Sequence, residues 1–415
     1  MSEHEIVPAF VRSRAPEIRW PPQPWVVLYR VPRRANTENF PPGKDITLLL
    51  AKPPLSSIAT VPWRIAPDDI SPTNYPYIVA ADASGFLLLY ATQGRSKEPA
   101  DTTLCDARMD LVPAYFLCHA HRSSASLLPK PPSGMVFFHF HNVGLIANPR
   151  ADGHFLVAEL QHLMGTHHAS LLCYSTSTDS WFAREFAYHP NHPKRPYDGV
   201  ISHKRKLWWV DLAYGLFTCD PFTEQPELLY ISLPLGCVQP SARSQDIAKR
   251  RCVNLSHGKL RYVQIDDCPG KEKVTMWTLH NAVHWRLEYE ASFTEIWADA
   301  SYKASRLQCK VPALAFVHPS NPKVVYFFQD YLIFCANISS RMVMDGEFIS
   351  MTCPPIGGYS SSSVLAWELP ASLQPNDKPF LGGPSYTEGV DHRSAKRTID
   401  ALERRLSAHA SGLWH

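Results

Sequence analysis

Hydrophobic residues in this chain recur in short runs that prolines and small polar clusters interrupt. The 37 prolines against 19 glycines argue against long helices, whereas short apolar runs between turn residues suit β-strands. The stretch "LWWVD" (207–211) is representative. Alternate side chains of a strand face opposite sides, and here both faces are largely apolar. The pattern therefore predicts an all-β fold whose strands are covered on both faces.

Turn residues divide the region around this stretch into four predicted strands. "AYG" supplies a tight turn in which we expect Gly215 to take a positive φ angle. Asp211 and Asp220 lie in or beside turns, where a carboxylate accepts backbone N–H bonds. With "GVISH" before and "ELLYISLP" after, four antiparallel strands occupy about forty residues, which is the size of a propeller blade.

The same unit recurs along the chain in degenerate form. "VNLSHGKLRYVQI" (253–265) echoes "VISHKRKLWWVDL" (200–212), with the shared Ser-His at 256 and 202, an offset of about 54 residues (256 − 202). Further strand-turn-strand units are predicted at 77–91, 143–160 and 314–328. The fold class is therefore a β-propeller of four-stranded antiparallel blades. Six blades are expected, with five and seven as the alternatives.

The ends of the chain are expected to close the ring. "WVVLYRV" and "DITLLL" near the N-terminus predict strands, and "VLAWELP" (364–370) predicts a late strand that pairs with them, because an open ring would leave unpaired edges. The predicted organisation is an N-terminal tail (1–20), one propeller-like domain (21–370), and a linker with a tail (371–415) that forms a short helix or is disordered.

Several of these segments also resemble a known family. "DGVISHKRKLWWVDLAYGLFTCDPF", "GKLRYVQI", "ASFTEIWADASYKA" and "LAFVHPSNPKVVYFF" are similar, in the same order, to the hallmark segments of the plant proteins with "domain of unknown function 1618". The resemblance runs from about residue 20 to about 370. It implies a large plant family in which some members carry an N-terminal F-box and no catalytic residues are established. Residues 1–20 are too short for an F-box.

Composition narrows the partners and the location. With 41 basic and 38 acidic residues, the formal charge of +3 predicts neither a nucleic-acid partner nor a membrane partner. The ten cysteines include no C-x-x-C pair and most lie in apolar runs, which indicates reduced thiols. The N-terminus lacks the apolar core of a signal peptide. We therefore expect a monomeric protein of the cytoplasm or the nucleus.

The 19 histidines of the chain raise the possibility of a metal site. Four histidine clusters stand out, and an H-x-H pair on a strand places both imidazoles on one face, but no third ligand follows at metal-binding spacing. Neither a metal nor a cofactor is predicted. The clusters are His119/His121, His139/His141, His167/His168 and His189/His192.

Catalytic motifs are missing from the sequence. G-x-S-x-G and the phosphate-binding glycine motifs do not occur, so no catalytic residue is assigned. Asp211, Asp220, Glu295 and Asp299 could pair across a central pocket as the carboxylates of a glycosidase do, but turn roles are favoured for Asp211 and Asp220. A set of tryptophans could stack on sugars or bases, although their place among aliphatic residues favours core packing. These are Trp208, Trp209, Trp277, Trp285 and Trp297.

Two functional hypotheses remain. The favoured one is a non-enzymatic scaffold that binds a protein or peptide through loops between blades. Its first predicted contact loop is 189–198, with His189, His192, Lys194 and Arg195 as contact residues, and 237–246 and 166–170 are further loops. The alternative is a hydrolase or carbohydrate-binding propeller that uses inward-facing carboxylates or histidines.

Overall fold

A computed structural model describes residues 25–71, 74–95, 111–163, 166–188, 192–193, 195–239, 244–305, 307–349 and 358–374. The N-terminal tail predicted for residues 1–20 lies outside these residues, as does the predicted linker and tail beyond residue 374. Within the described residues, no helix has the length and apolar character needed to cross a membrane.

The described chain consists of short strands in six sheets, and it starts with four strands of the sheet that closes the ring. These are β1 (Trp25–Tyr29), β2 (Arg33–Ala35), β3 (Thr47–Leu49) and β4 (Ser56–Pro62).

Five four-stranded sheets follow, each antiparallel throughout and each formed by four consecutive strands. Blade 1 contains β5 (Tyr77–Ala81), β6 (Phe86–Arg95), β7 (Leu111–His119) and β8 (Ser124–Leu127). Blade 2 contains β9 (Val143–Ala147), β10 (Phe155–His162), β11 (His168–Ser175) and β12 (Ser180–Ala187). Blade 3 contains β13 (Gly199–His203), β14 (Lys206–Asp211), β15 (Gly215–Cys219) and β16 (Leu229–Ser232).

Blade 4 contains β17 (Arg251–Ser256), β18 (Lys259–Asp266), β19 (Lys273–His280) and β20 (His284–Ser292). Blade 5 contains β21 (Ala313–Val317), β22 (Val324–Gln329), β23 (Leu332–Asn337) and β24 (Met342–Phe348). The last strand, β25 (Val364–Glu368), belongs to the closing sheet. The helices of the described chain are short: α1 (Ser244–Arg250), α2 (Phe293–Ala298) and α3 (Ala300–Ser305), with 3-10 turns at Thr37–Asn39, Phe140–Asn142 and Ala371–Leu373.

The blades form a β-propeller, which confirms the predicted fold class. The first strand of each blade contacts the first strand of the next, from β5 through β9, β13 and β17 to β21, and β21 contacts β25. The backbone carbonyl of Arg30, just after β1, accepts a bond of 2.7 Å from the N–H of Ile78 in β5. The first strands therefore surround the centre of the molecule, and the ring is closed.

The closing sheet confirms one expectation and corrects another. β1 pairs with β25 in antiparallel register from Trp25 opposite Glu368 to Tyr29 opposite Val364, as the ring-closure argument predicted. A sixth antiparallel four-stranded blade was expected, but this sheet has five strands and is mixed, because β4 lies parallel to both β1 and β2. The closing sheet thus differs from the five repeated blades.

The core explains why β14 is apolar on both faces. Leu207 and Trp209 pack with residues of blade 2, whereas Trp208 and Val210, on the other face, pack with Tyr262 and other residues of blade 4. Trp209 is fully buried. The two faces of one strand therefore belong to two hydrophobic clusters, one on each side of blade 3, as expected for blades that pack face to face.

Candidate functional site

A cavity of about 510 Å³ lies where the first strands of the blades begin. Its walls come from the connections that lead into the first strands β5, β9, β13 and β17 and into β25 of the closing sheet, together with parts of the strands themselves. The contributing residues lie within 74–77, 139–141, 196–201, 248–254 and 358–365. Because the first strands surround the centre of the ring, the connections between blades converge on this cavity. Such a volume is typical of ligand pockets in proteins.

A buried carboxylate shapes the wall formed by residues 137–142. Glu159 in β10 is fully buried. Its oxygens accept bonds of 2.9 Å from the N–H of Phe138 and 2.7 Å from the N–H of His139, and a third of 2.6 Å from the side-chain amide of Gln161. Burial raises the pKa of Glu159 to about 7, although these bonds oppose the rise. The carboxyl group therefore fixes the connection that carries His139 and His141.

His139 and His141 reach the cavity through this connection. Burial lowers the pKa of both imidazoles, and for His141 the neighbouring Arg30 contributes and the pKa falls to about 3. His141 lies against the ring of Tyr77, with 5.2 Å between the ring centroids. This H-x-H pair does not lie on a strand, because His139 directly precedes the 3-10 turn Phe140–Asn142 and His141 is part of it. At neutral pH His141 is therefore an uncharged hydrogen-bonding group.

Aromatic rings form one side of the cavity. Tyr90 stacks on Phe140 with 4.7 Å between centroids and 19° between the ring planes. Tyr77 packs against Phe140 at 5.0 Å, and its hydroxyl donates a bond of 2.7 Å to the carbonyl of Ser362. The guanidinium of Arg30 lies over the Tyr77 ring at 5.5 Å. These contacts give this side both flat apolar faces and a cation.

The serine-rich segment 360–363 connects two parts of the wall. The backbone N–H of Arg30 donates to the carbonyl of Ser363 at 3.0 Å. The N–H and the hydroxyl of Ser361 both donate to the carbonyl of Ala248, at 3.0 and 2.9 Å. Ser361 therefore ties the segment to α1, and Arg30 ties it to the end of β1. Ser360, Ser361 and Ser362 of this segment belong to the lining.

Loop 189–198 differs from the expectation at His192. The sequence predicted an exposed contact residue, but the His192 side chain is fully buried. Its Nδ1 lies 2.5 Å from the hydroxyl of Tyr188, and its Nε2 lies 3.3 Å from Oδ2 of Asp211. Arg195 is partly buried, with its Nε 3.5 Å from the same carboxylate oxygen. His189 and Lys194 lie outside the described residues. A partner contact by this loop stays a prediction, but His192 is inaccessible for it.

Of the three predicted turn residues, Asp211 and Asp220 accept backbone N–H bonds at turns, whereas the prediction for Gly215 was wrong. Oδ1 of Asp211 accepts the N–H of Ala213, and Oδ1 of Asp220 accepts the N–H of Phe222. Gly215 does not have the expected positive φ angle. It is the first residue of β15, and a Cβ atom there would lie 2.3 Å from the carbonyl oxygen of Ile231. Close approach of β16 is therefore the reason for glycine.

The remaining sequence candidates lie outside the cavity. Glu295 pairs with Arg341 at the surface, and Asp299 accepts the N–H of Ser301 at the start of α3. The tryptophans are buried or half-buried against the core clusters. Within the described residues, no group of three or more His, Cys, Asp or Glu side chains is arranged to hold a metal ion.

Sequence reasoning missed Arg30, Lys249 and the serine segment as cavity residues. Arg30 is a single basic residue in the apolar run "WVVLYRV", and "YSSSSV" is a polar run directly before a strand. Both are local signals of a polar wall. Their meeting across more than 300 residues of chain depends on ring closure.

One comparison finds a similarity in the central part of the chain. Residues 209–326 match the family model described as "Protein of unknown function (DUF1618)". This part of the chain is similar to the DUF1618 family model, which covers less than a third of the 415 residues. It runs from β14 in blade 3 into β22 in blade 5, so it includes the whole of blade 4. The match confirms the resemblance over this region, whereas the sequence motifs suggested a longer one. A search of curated proteins gave no match.

Solved structures that are similar to this chain include β-propellers and glycoside hydrolases. The β-propeller domain of Cps50 (Swd1) from Myceliophteria thermophila has 10% identity and a TM-score of 0.36, covering 70% of this chain and 96% of that one. An alpha-L-arabinofuranosidase from Podospora anserina in complex with cellotriose has 12% identity and a TM-score of 0.31, and the match covers 83% of this chain and 95% of that one. A Penicillium chrysogenum alpha-L-arabinanase complexed with arabinobiose has 10% identity and a TM-score of 0.32, and the match covers 69% of this chain and 83% of that one. Likenesses this weak carry no argument about activity.

Proposed function

We propose that this propeller is a non-enzymatic interaction protein that binds a segment of a protein or peptide partner in the cavity. The observation that carries the proposal is the convergence of five connections between sheets on one cavity that has aromatic faces, hydroxyls and amides. A rigid ring that presents loops at one place suits recognition. Flat rings and hydrogen-bonding groups together are typical of sites that bind peptide chains.

The chemistry of the lining favours binding over hydrolysis. Glycoside hydrolysis by the usual route needs two carboxyl groups beside the scissile bond. Among the described lining residues the carboxylate is Asp198, and its Oδ2 accepts the N–H of Leu212 at 2.8 Å. Burial raises the pKa of the lining thiol of Cys252 to about 12, so it is protonated and a poor nucleophile at neutral pH.

The proposed location is the cytoplasm or the nucleus. In the part of the chain that the structure describes, eight cysteines are free and six of them are buried. Buried thiols that act as small apolar residues suit a reducing compartment.

Blocking the cavity tests the proposed function. Gly199 lines it, has no positive φ angle, and has no atom within 4 Å of an added Cβ. Gly199→Phe should therefore fill the cavity without disturbing the fold. Ala183→Phe adds the same ring to an exposed position on the outer strand β12 and is the matched control. A displayed random-peptide library would be selected on the wild-type protein, and binding of the selected peptides would be measured on all three proteins.

We expect selected peptides that bind the wild-type protein and Ala183→Phe equally and that bind Gly199→Phe at least about tenfold more weakly, with equal unfolding midpoints. Selected peptides that bind Gly199→Phe as tightly as the wild-type protein would show that binding occurs elsewhere and would refute the cavity as the site. Failure to select any peptide would also count against the proposal. Turnover of glycoside, ester or phosphate substrates that Gly199→Phe abolishes would establish the hydrolase alternative instead.

A further inference from the structure

The cavity lining carries more positive than negative charge. Its described lining residues include two side chains that are cationic at neutral pH, Arg30 and Lys249, and one carboxylate, Asp198. Two stretches next to lining residues in the sequence lie outside the described residues, and neither contains Asp or Glu: 72–73 and 350–357. A ligand with negative charge would balance this surplus.

Arg30 is held in place without a carboxylate partner. One of its terminal nitrogens donates to the carbonyls of Ile78 and Val79 at 3.2 and 2.9 Å, which fixes the guanidinium but does not neutralise it. Its Nε is buried and has no hydrogen-bond partner. In the described chain Arg30 forms no salt bridge. A fixed arginine whose charge no described carboxylate neutralises is a typical recognition group for carboxylate or phosphate.

Lys249 supplies the second cation from the last turn of α1. Its nearest described carboxylate is Asp246, one helical turn away at 4.0 Å, and the Asp246 side chain is largely exposed. Solvent screens such a pair strongly, so the pair competes weakly with a ligand for the ammonium group.

The serine segment links the two cations. Ser363 accepts the backbone N–H of Arg30, and Ser361 is bonded to Ala248, the residue before Lys249. The segment therefore connects the parts of the wall that carry Arg30 and Lys249. Two cations that line one cavity can pair with the negatively charged oxygens of a single ligand.

We propose that the cavity recognises an acidic peptide segment, in which a carboxylate or phosphate group pairs with Arg30 and Lys249 while neighbouring peptide atoms pack on the aromatic side. This inference rests on the proposed function and assigns the chemical class of its ligand. Carboxylate and phosphate share the required chemistry of negatively charged oxygens. They differ in charge and in the number of acceptor oxygens, so phosphate should form more bonds to the same groups.

Four synthetic peptides of equal length separate these possibilities. They share one sequence and carry Glu, phosphoserine, Ser or Lys at the central position. Their affinities would be measured by fluorescence anisotropy on the wild-type protein, at low and at high salt. Tighter binding of the phosphoserine peptide than of the Glu peptide would identify phosphate as the preferred source of the oxyanion, and the reverse order would identify the carboxylate.

Two variants and one control then test the assigned residues. Lys249→Glu reverses the charge of a partly exposed side chain, and Lys323→Glu does the same at an exposed position in blade 5 outside the lining. Arg30→Gln removes the other cation, and its unfolding midpoint would be measured because Arg30 also bonds to β5. The phosphoserine and Glu peptides should bind Lys249→Glu about tenfold more weakly, and the Ser peptide should not change.

The inference is overturned if the acidic peptides bind no better than the Ser or Lys peptide, or if Lys249→Glu and Lys323→Glu behave alike. This outcome is distinct from failure of the proposed function. Selected neutral or basic peptides that still lose binding in Gly199→Phe would keep the cavity as a peptide site and reject only its preference for acidic ligands.

Discussion

Gly215 shows how closely two strands of blade 3 approach. Replacing it by Ala puts a Cβ 2.3 Å from the backbone oxygen of Ile231 and 2.9 Å from the Tyr230 ring. Since a backbone oxygen cannot rotate away, the strands must separate, and we expect a loss of about 1–3 kcal/mol in the free energy of unfolding. Urea denaturation measures this loss. Gly199→Ala, which meets no atom within 4 Å, is the control and should stay within about 0.5 kcal/mol of wild type.

The sequence indicated which single residues matter more often than it indicated what surrounds them in the fold. A glycine at position 215 was expected from the turn pattern, but the close approach of β16 depends on a strand that begins fourteen residues later. His192 lies in a polar, proline-rich stretch that is typical of an exposed loop. Its burial depends on Tyr188 and Asp211, of which the second belongs to the next blade. Local sequence contains no signal of such a pairing.

The connection 137–142 depends on Glu159, and this dependence should appear as a pH effect. The pKa of Glu159 in the folded protein is about 7, above its ordinary value of 4.5. Between these pH values the folded protein binds the proton more strongly than the unfolded chain does. The contribution of Glu159 to stability is therefore largest below about pH 4.5 and falls as the pH rises to about 7.

Glu159→Gln should remove this pH dependence, because its amide keeps the shape of the protonated acid and does not ionise. The stability of wild type relative to Glu159→Gln should fall between pH 5 and pH 8 by an amount on the order of 3 kcal/mol at most. Urea denaturation at both pH values measures it, with Glu185→Gln on the exposed edge of β12 as the control. A difference that stays constant across this range would contradict the raised pKa.

Among the elements, strands were predicted well and connections poorly. The hairpins expected at 77–91, 143–160 and 314–328 correspond to β5–β6, β9–β10 and β21–β22. Alternating or continuous apolar residues carry this signal. The cavity walls are connections, whose conformation depends on distant partners such as Glu159, so their convergence could not be derived from local pattern. The only acid in the run "FLVAEL" was a usable but overlooked sign of a buried polar contact.

At the scale of the whole molecule, ring closure was predictable because it follows from a general requirement. Strand edges at the two ends of a ring must pair or stay exposed, and an apolar strand near each end of the sequence was available. The parallel pairing of β4 with β1 and β2 was not predictable. The strands of the closing sheet do not follow the sequence repeat of the five blades. The five-stranded mixed sheet could therefore be recognised only in the structure.

Closure also leads to a prediction about truncation. β25 supplies the partner of β1, and its Trp367 is buried and donates a bond of 2.9 Å to the carbonyl of Asp82 in blade 1. A chain that ends before Val364 loses this strand and leaves β1 with an open edge. We expect an aggregated or molten product. A chain that ends after Gln374 keeps the compact unit that the contacts define and should unfold at the wild-type midpoint.

The two truncations differ by eleven residues (374 − 363), so their comparison isolates β25 and the short turn after it. Solubility, near-ultraviolet circular dichroism and the cooperativity of thermal unfolding would be measured on both. Trp367→Ala in the longer chain provides a graded test, because it keeps the strand and removes only the packing and the bond to Asp82. It should fold and lose about 3–5 kcal/mol. Equal solubility and equal cooperativity of the two truncations would show that the ring does not need β25.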